Sequence, residues 1–393
     1  PRYTQPCTLH SSIPVALKND AVRIMRQDYL ASEQRHQPVL VVVFLRGGAD
    51  ALTIVPPHGD DAYHRARPSL AISGTEMHDL DGHFGLHKAM GALMPLWKER
   101  RLSVHHGVGA AEASHSHFQA QDLVEHGGSG AGGWIARYLR ARAHPVGPLA
   151  SVAIGSTWPE SLRGAPGGAV IQSIEDFAIA DDEPDLIRRL ERLHEGSIGG
   201  FGEVARSTLT AMQRLREIRA EGIETSSQEY PDTPLGRGLR EIARLIRADV
   251  GLMASTVDSA GAGFGWDTHF VQNQLIPLLM KDLSDSIAAF MGDLGEHAPR
   301  TRVVVLSEFG RRVSENTSFG TDHGSGGIMM MVGDDLPRPG VHSGFSDLED
   351  QNLIGPGDVP VGRDYRELLV ELIGSVDPTC ELPRVFPDVP SAG

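Results

Sequence analysis

An α/β fold, with a doubly wound and mainly parallel sheet sandwiched by helices, is predicted by three features of this chain. Short β-branched runs alternate with amphipathic helical patterns, the order expected of such a sheet. Those runs are continuously apolar rather than alternating, the mark of strands covered on both faces. Acids and histidines follow several runs on glycine-rich turns, where open α/β sheets bind ligands.

Taken in order, residues 1–38 are polar and weakly patterned and read as an N-terminal arm. "VLVVVFL" (39–45) is the clearest strand. Leu86, Met90, Leu93, Met94 and Trp97 recur at spacings of three and four, predicting a helix. "LSVHHGVG" (102–109) is a second strand, and "FQAQDLVEH" (118–126) a helix that begins just after Ser116. "GGSGAGG" (127–133) is a flexible loop. "SVAIG" (151–155) and "AVIQSI" (169–174) are further strands. Residues 182–222 are charged and helical and read as an inserted outer hairpin. Leu235, Leu239, Ile242, Leu245 and Ile246 mark one later helix; Leu275, Leu279, Leu283, Ile287 and Phe290 mark another. "RVVVL" (302–306) and "IMMMVG" (328–333) complete the strands. The Pro-rich stretch 377–393 reads as a tail, which leaves 39–376 as one domain without internal repeats.

The 393 residues suffice for one large α/β domain or two ordinary ones. With 40% hydrophobic and 22% charged residues, the chain reads as soluble and globular. No apolar run approaches the roughly 18 residues of a membrane span. A net charge of -15 argues against a nucleic-acid backbone as partner, because phosphate contacts need a basic surface. It leaves room for a small anionic substrate held by a metal or an arginine. Cys7 and Cys380, one near each end, leave open a disulfide or two isolated thiols, and they do not make a cysteine zinc site. No apolar signal segment is present, so either export is absent or a signal was removed before this numbering begins.

Four constellations carry chemistry. In "FLRGGADAL" (44–52), Gly47 and Gly48 follow a strand and Asp50 follows them, placed either to hold a metal or to cap the next helical turn. GxGxxG is absent, so this is no nucleotide fingerprint. In "ASHSHFQAQD" (113–122), Ser114 and Ser116 precede a helix, whose N-terminal field favours an alkoxide or an attached anion; an N-cap serine among solvated histidines is the plainer reading. In "GFGWDTHF" (263–270), Asp267 and His269 are two apart and on an extended turn can converge on one ion. In "SEFGRRVSENTSFGTDHGSGG" (307–327), Glu308 stands at a strand's carboxyl end, and Asp322 and His323 lie in a loop before the next strand. Gathered at one sheet edge, Asp50, Asp267, Glu308 and Asp322 would repel one another unless cations neutralised them. With His269 and His323 they form an Asp/Glu/His set suited to one or two divalent ions, zinc, manganese or similar.

These segments resemble a bacterial family known as domain of unknown function 1501. The resemblance is carried by "VVVFLRGGADALTIVPP", "FGLHKAM", "SHFQAQD", "GWIARYL", "GWDTHF", "SEFGR", the Glu315-Asn316 pair, "GTDHGSGG" and "DYREL", which together run from about residue 39 to 374. That family is grouped with the alkaline phosphatase-like superfamily of sulfatases, phosphodiesterases and phosphomutases. The resemblance implies Asp50 as the first-strand metal acid and Ser116 as nucleophile. It also implies Asp267 with His269 as one metal's pair, and Glu308, Asp322 and His323 as the remaining ligands. It implies export to the periplasm, against a cytoplasmic alternative. Two features depart from the superfamily: Glu308-Phe309 replaces the usual Asp-His, and the 267–269 spacing is shorter.

The function expected is a metal-dependent hydrolase of phosphate or sulfate esters. Ser116 attacks, Arg46 or Arg311 holds non-bridging oxygens, and His115 or His117 protonates the leaving group. Two alternatives stand beside it. One is a binding or assembly protein that kept the fold without turnover, motivated by the two departures. The other is a metal-free serine hydrolase built on Ser116, although no GxSxG elbow is present.

Overall fold

The computed structural model describes residues 37–110, 112, 114–142, 146–175, 188–190, 192–193, 200–221, 228–259 and 265–389. The N-terminal arm, Cys7 and most of 176–199 lie outside the described residues. Thirteen strands are found among them: β1 Val39–Leu45, β2 Met77–Asp79, β3 Gly85–His87, β4 Leu102–Gly109, β5 Ser151–Ile154, β6 Ala169–Ile171, β7 Ala254–Ser259, β8 Thr301–Leu306, β9 Gly310–Glu315, β10 Thr321–Gly324, β11 Gly327–Val332, β12 Gly340–Ser343 and β13 Arg363–Asp364.

Nine strands form one sheet in the order β12-β4-β11-β8-β1-β7-β5-β6, with β13 paired to β4. Only β11 runs antiparallel to its neighbours, β4 and β8; every other pairing is parallel. The doubly wound, mainly parallel sheet is therefore what the alternating pattern predicted. β1 shows why its sequence is apolar throughout. Val39, Val41, Val43 and Leu45 face one core layer, with the helices Pro234–Arg247 and Gln272–Asp293. Leu40, Val42 and Phe44 face the other, with the helices Trp134–Ala141 and Tyr365–Val376. Each such buried side chain contributes roughly 1.5–3 kcal/mol relative to exposure.

Some elements differ from expectation. β7, central in the sheet beside β1, was not expected, because "ASTVDS" lacks an apolar run. Two of its buried hydroxyls find partners on other segments: Ser255 Oγ donates to the Val152 carbonyl at 2.6 Å, and Ser259 Oγ accepts from Trp266 Nε1 at 3.1 Å. The helix expected around Leu86–Trp97 is broken into β3, a 3-10 turn Lys88–Leu93 and a short helix Met94–Lys98, with Pro95 inside the last. Asp322 and His323 lie on β10, paired antiparallel to β9, and not in a plain loop. Asn316 Oδ1 closes that hairpin by accepting from the amides of Ser318 (2.9 Å) and Gly320 (3.1 Å). Within the Pro-rich stretch after Asp377, Leu382–Val385 is helical, and Val385 and Phe386 are buried. Of the insertion, Gly200–Glu221 is one long helix. No helix of the described residues is long and apolar enough to cross a membrane.

β1, β4, β7 and β8 share one direction, so their carboxyl ends lie at one edge. The chain leaves β1 and β8 there through Arg46-Gly47-Gly48 and Ser307-Glu308, and Ser114–His117 and Gly265–Asp267 follow β4 and β7 in sequence.

Candidate metal centre

Three imidazoles meet one carboxylate at this edge. His117 opens the helix His117–His126, as expected from the segment after Ser116. Asp267 and His269 follow β7, and His323 sits on β10. The turn after β1 permits the approach: Gly47 has φ +122, and a Cβ there would lie 2.4 Å from the amide nitrogen of Asp267. At Gly320 a Cβ would lie 2.2 Å from the His269 carbonyl carbon. Glycine is thus required where the backbones of the two acid-His segments touch.

The donor atoms converge. His269 Nε2 lies 3.0 Å from Asp267 Oδ1, and His323 Nε2 lies 3.3 Å from the same oxygen. His269 Nε2 and His323 Nε2 are 2.9 Å apart. His117 Nε2 lies 3.3 Å from Asp267 Oδ2, is buried, and makes no hydrogen bond. On the far side of each ring an acceptor faces Nδ1. His117 Nδ1 meets Glu308 Oε1 at 2.8 Å, His323 Nδ1 meets the His115 carbonyl at 2.8 Å, and His269 Nδ1 faces Asp322 Oδ1 at 3.5 Å. An acceptor at Nδ1 places the ring proton there and turns the Nε2 lone pair inward. Two inward lone pairs 2.9 Å apart repel unless a cation or a proton lies between them.

The donor set fits a divalent ion. Ligands at about 2.0–2.2 Å from a tetrahedral zinc lie about 3.4 Å from one another, close to the spacings here. His117, Asp267 and His323 each offer an atom within 4.8 Å of the others; His269 Nε2 approaches only the Asp267 and His323 side of that set, at 3.0 and 2.9 Å. Neutral imidazoles with one carboxylate suit zinc or a similar borderline ion rather than magnesium.

The surroundings tune these groups. Burial alone would push the Asp267 carboxyl up, but hydrogen bonds from His323 and Arg311 and the Arg311 charge outweigh it and hold it low. The hydrogen bond to Glu308 raises His117, against burial. Burial, with Arg311, lowers His269. Glu308 is fully buried; burial would raise its carboxyl, but hydrogen bonds from His117, Gln121 and the Gly47 amide keep it low.

The other expected residues lie as follows. Glu308 is at the end of β8 but meets His117 at Nδ1, so it orients that imidazole. Asp322 does the same for His269 and also accepts from Asn316 Nδ2 at 3.1 Å. Asp50 is not brought to the cluster. It occupies the N-cap of the helix Ala51–Ile54, and its carboxylate is taken by Arg67 (2.6 and 3.0 Å), Thr53 Oγ1 (2.6 Å) and Gln272 Nε2 (2.6 Å). Arg311 is buried; it donates to the carbonyls of Gly48 (2.6 Å) and Thr321 (2.8 Å) and to Asp267 (2.5 Å), so it clamps the turns together. Arg46 pairs with Asp258 at 2.8 Å and with Glu125. Ser116 sits at the N-cap position of its helix, yet its side chain makes no capping bond. His115 Nε2 lies 3.2 Å from Asp358 Oδ2, and Ser325 Oγ donates to that oxygen at 2.9 Å.

Arg67, Gln272, Asp358 and Ser325 were not anticipated. Arg67, Gln272 and Asp358 lie outside the four constellations, and Ser325, although within the last of them, carries no charge or imidazole to mark it. Phe309 is buried with its ring 5.0 Å from that of His117 and 4.8 Å from that of His323.

Residues 203–377 match the model of a family described as "Protein of unknown function (DUF1501)". The resemblance read from the motifs therefore holds over that stretch, which carries Asp267, His269, Glu308, Arg311, Asp322 and His323. No curated protein matches the chain. Among solved structures it is similar to the lipoteichoic acid synthase LtaP from Listeria monocytogenes, at 10% identity over 84% of this chain and 75% of that one, with a TM-score of 0.34. It is similar to the alkaline phosphatase from the Antarctic bacterium TAB5, at 8% identity over 86% and 98%, with a TM-score of 0.31. It is also similar to Ps i-CgsB in complex with k-i-k-neocarrahexaose, at 12% identity over 86% and 72%, with a TM-score of 0.34.

Proposed function

We propose that this chain is an alkaline phosphatase-like hydrolase of phosphate or sulfate esters that works with one divalent ion. His117, Asp267, His269 and His323 would hold the ion. One observation carries the reading: three imidazole Nε2 atoms, each backed by an acceptor at Nδ1, turn toward a single carboxylate. When bound, the ion acts as a Lewis acid on the ester's non-bridging oxygens.

The chain's own residues supply the rest. Ser116, at a helix N-terminus and free of a capping role, is the nucleophile. As its Oγ bonds to phosphorus or sulfur, its proton passes to water and the bond to the ester oxygen breaks; water then displaces Ser116 Oγ, which takes back a proton as phosphate or sulfate leaves. His115, exposed and steadied by buried Asp358, delivers a proton to that oxygen. Glu308 and Asp322 hold the imidazoles in register. Arg46 and Arg311 are committed to carboxylates and carbonyls and act by positioning. The substrate is a small anionic ester, and a periplasmic location, tested by cell fractionation, belongs to the same proposal.

The test is zinc or manganese analysis of the purified chain, followed by assays on aryl phosphates and aryl sulfates. Stoichiometric metal with turnover abolished by Ser116→Ala is expected. A chain that binds metal but turns over neither ester class would favour the second reading, a metal-binding protein without turnover. Phe309 packed among the histidines and Asp50 locked to Arg67 support that alternative, because both lie where a further ion's ligands were expected.

A further inference from the structure

Beside the candidate centre lies a cleft of about 1450 Å³, larger than the roughly 300–1,000 Å³ of ordinary small-ligand sites. Asp267 and Arg46 form its inner end, and the carboxyl ends of β5 and β7 form its floor. One wall is the start of the helix Gln272–Asp293. Of the apolar stripe read from the sequence only the first residue, Leu275, stays out of the core, 39% exposed; Leu278, off that stripe, is 70% exposed, and Phe270 just before them is 43% exposed. These three are among only eight large apolar side chains left exposed in the described residues, and all three line this cleft.

The opposite wall is charged but not cationic. Its arginines lie within ion-pair distance of acids: Arg237 with Asp232 at 2.5 Å, Arg240 with Glu241 at 3.9 Å, and Arg46 with Asp258 at 2.8 Å. Asp267 at the inner end, and Asp282 on the leucine-bearing helix itself, add further negative charge. A polyanion would meet carboxylates along its whole length here. A single anionic group can be held only at the inner end, where the metal would sit.

We infer that the substrate of the proposed reaction is an amphiphile: one anionic ester head at the metal centre and an apolar leaving group along Leu275 and Leu278. This rests on the proposed function for the head and on the cleft alone for the tail. A tail lying against half-exposed leucines should gain about twofold in affinity per methylene, half the full-burial value, or about 60-fold from ethyl to octyl.

The zinc-loaded full chain is titrated calorimetrically with ethyl-, butyl- and octylphosphonate, below micelle-forming concentrations so that single molecules are read. The same series is run on Leu275→Gln/Leu278→Gln, neutral changes at exposed positions that keep the fold. Separately, N-phenyl-1-naphthylamine fluorescence, displaced by octanol, is followed on chelated protein. The inference expects a steep chain-length dependence that flattens in the double variant while ethylphosphonate still binds. Equal affinity across the series, or a dependence as steep in the variant, overturns it and leaves the metal reading standing. Failure of every phosphonate to bind, with naphthylamine binding retained in wild type and lost in the variant, supports the apolar tail site and sinks the metal-held head.

Discussion

Asp50 and Asp267 both follow a strand on a glycine-bearing turn at one edge of the sheet, and they differ in what neutralises them. Asp50 is fully buried and faces a cation supplied by the chain: Arg67, also fully buried, binds both carboxylate oxygens. Thr53 and Gln272 complete its shell. Asp267 is partly exposed, shares Arg311 with the backbone carbonyls of Gly47, Gly48 and Thr321, and is otherwise ringed by imidazoles whose charge is not fixed. A carboxylate with a permanent partner stiffens the fold. One surrounded by inward-facing nitrogens is short of positive charge and suits an external ion.

The largest expected effect breaks the Asp50 side. Arg67→Met leaves a buried carboxylate without its cation and should cost about 3–5 kcal/mol, read by urea denaturation. Its pH dependence should also change sign. In the native chain burial pushes Asp50 up, but the Arg67 charge and hydrogen bonds hold the carboxyl below its ordinary 3.8. The unfolded chain then takes up the proton first, so this contribution is present above about pH 4 and fades as pH falls through the lower folded value. Without Arg67, burial dominates and the folded carboxyl titrates above the unfolded one, so acid should relieve the variant. A loss under about 1 kcal/mol, with the native pH trend kept, would show that Asp50 is not held this way.

The next effect falls on the Asp267 side. His323→Ala or Asp267→Asn removes a donor, and zinc affinity should drop by more than about 100-fold, beyond what loss of a supporting partner costs. Stability in chelator should shift little for His323→Ala, because the ring is partly exposed on a hairpin. Competition titration with a chromophoric chelator reads the first quantity and thermal melts the second. Unaltered zinc affinity in both variants would move the site elsewhere.

Smaller effects separate ligands from their supports. Glu308→Gln keeps the shape of the carboxylate that faces His117 Nδ1 and should weaken zinc about 10–100-fold. A loss as large as that of His323→Ala would instead make Glu308 a direct ligand. Asp322→Asn should cost least, about 10-fold or less, since Asn316 and Arg312 share its carboxylate and its imidazole contact is long.

How much of this was legible depended on signal type. β1 and β11, and the Val303–Leu306 part of β8, announced themselves because strands covered on both faces carry continuous apolar runs. β7 did not, since Ser255, Asp258 and Ser259 meet Val152, Arg46 and Trp266, partners the sequence does not display. Asp267, His269, Glu308, Asp322 and His323 were legible as polar residues at strand ends and glycine turns. Their division into donors and supports was not. It depends on which imidazole nitrogen faces inward, and that follows from the positions of Glu308, Asp322 and the His115 carbonyl. His117 was expected as an acid and lies among the donors for the same reason.

The amino-acid order alone determined the layer architecture, the helix start after Ser116 and the edge at which chemistry would gather. These follow from periodicity and backbone preference, which act over a few residues. Tertiary structure alone decided that Asp50 would meet Arg67, that Leu275 and Leu278 would face a cleft instead of the core, and that three imidazoles would share Asp267. Charge pairing and burial are set by neighbours in space, and here those neighbours come from segments as far apart as residues 117 and 323.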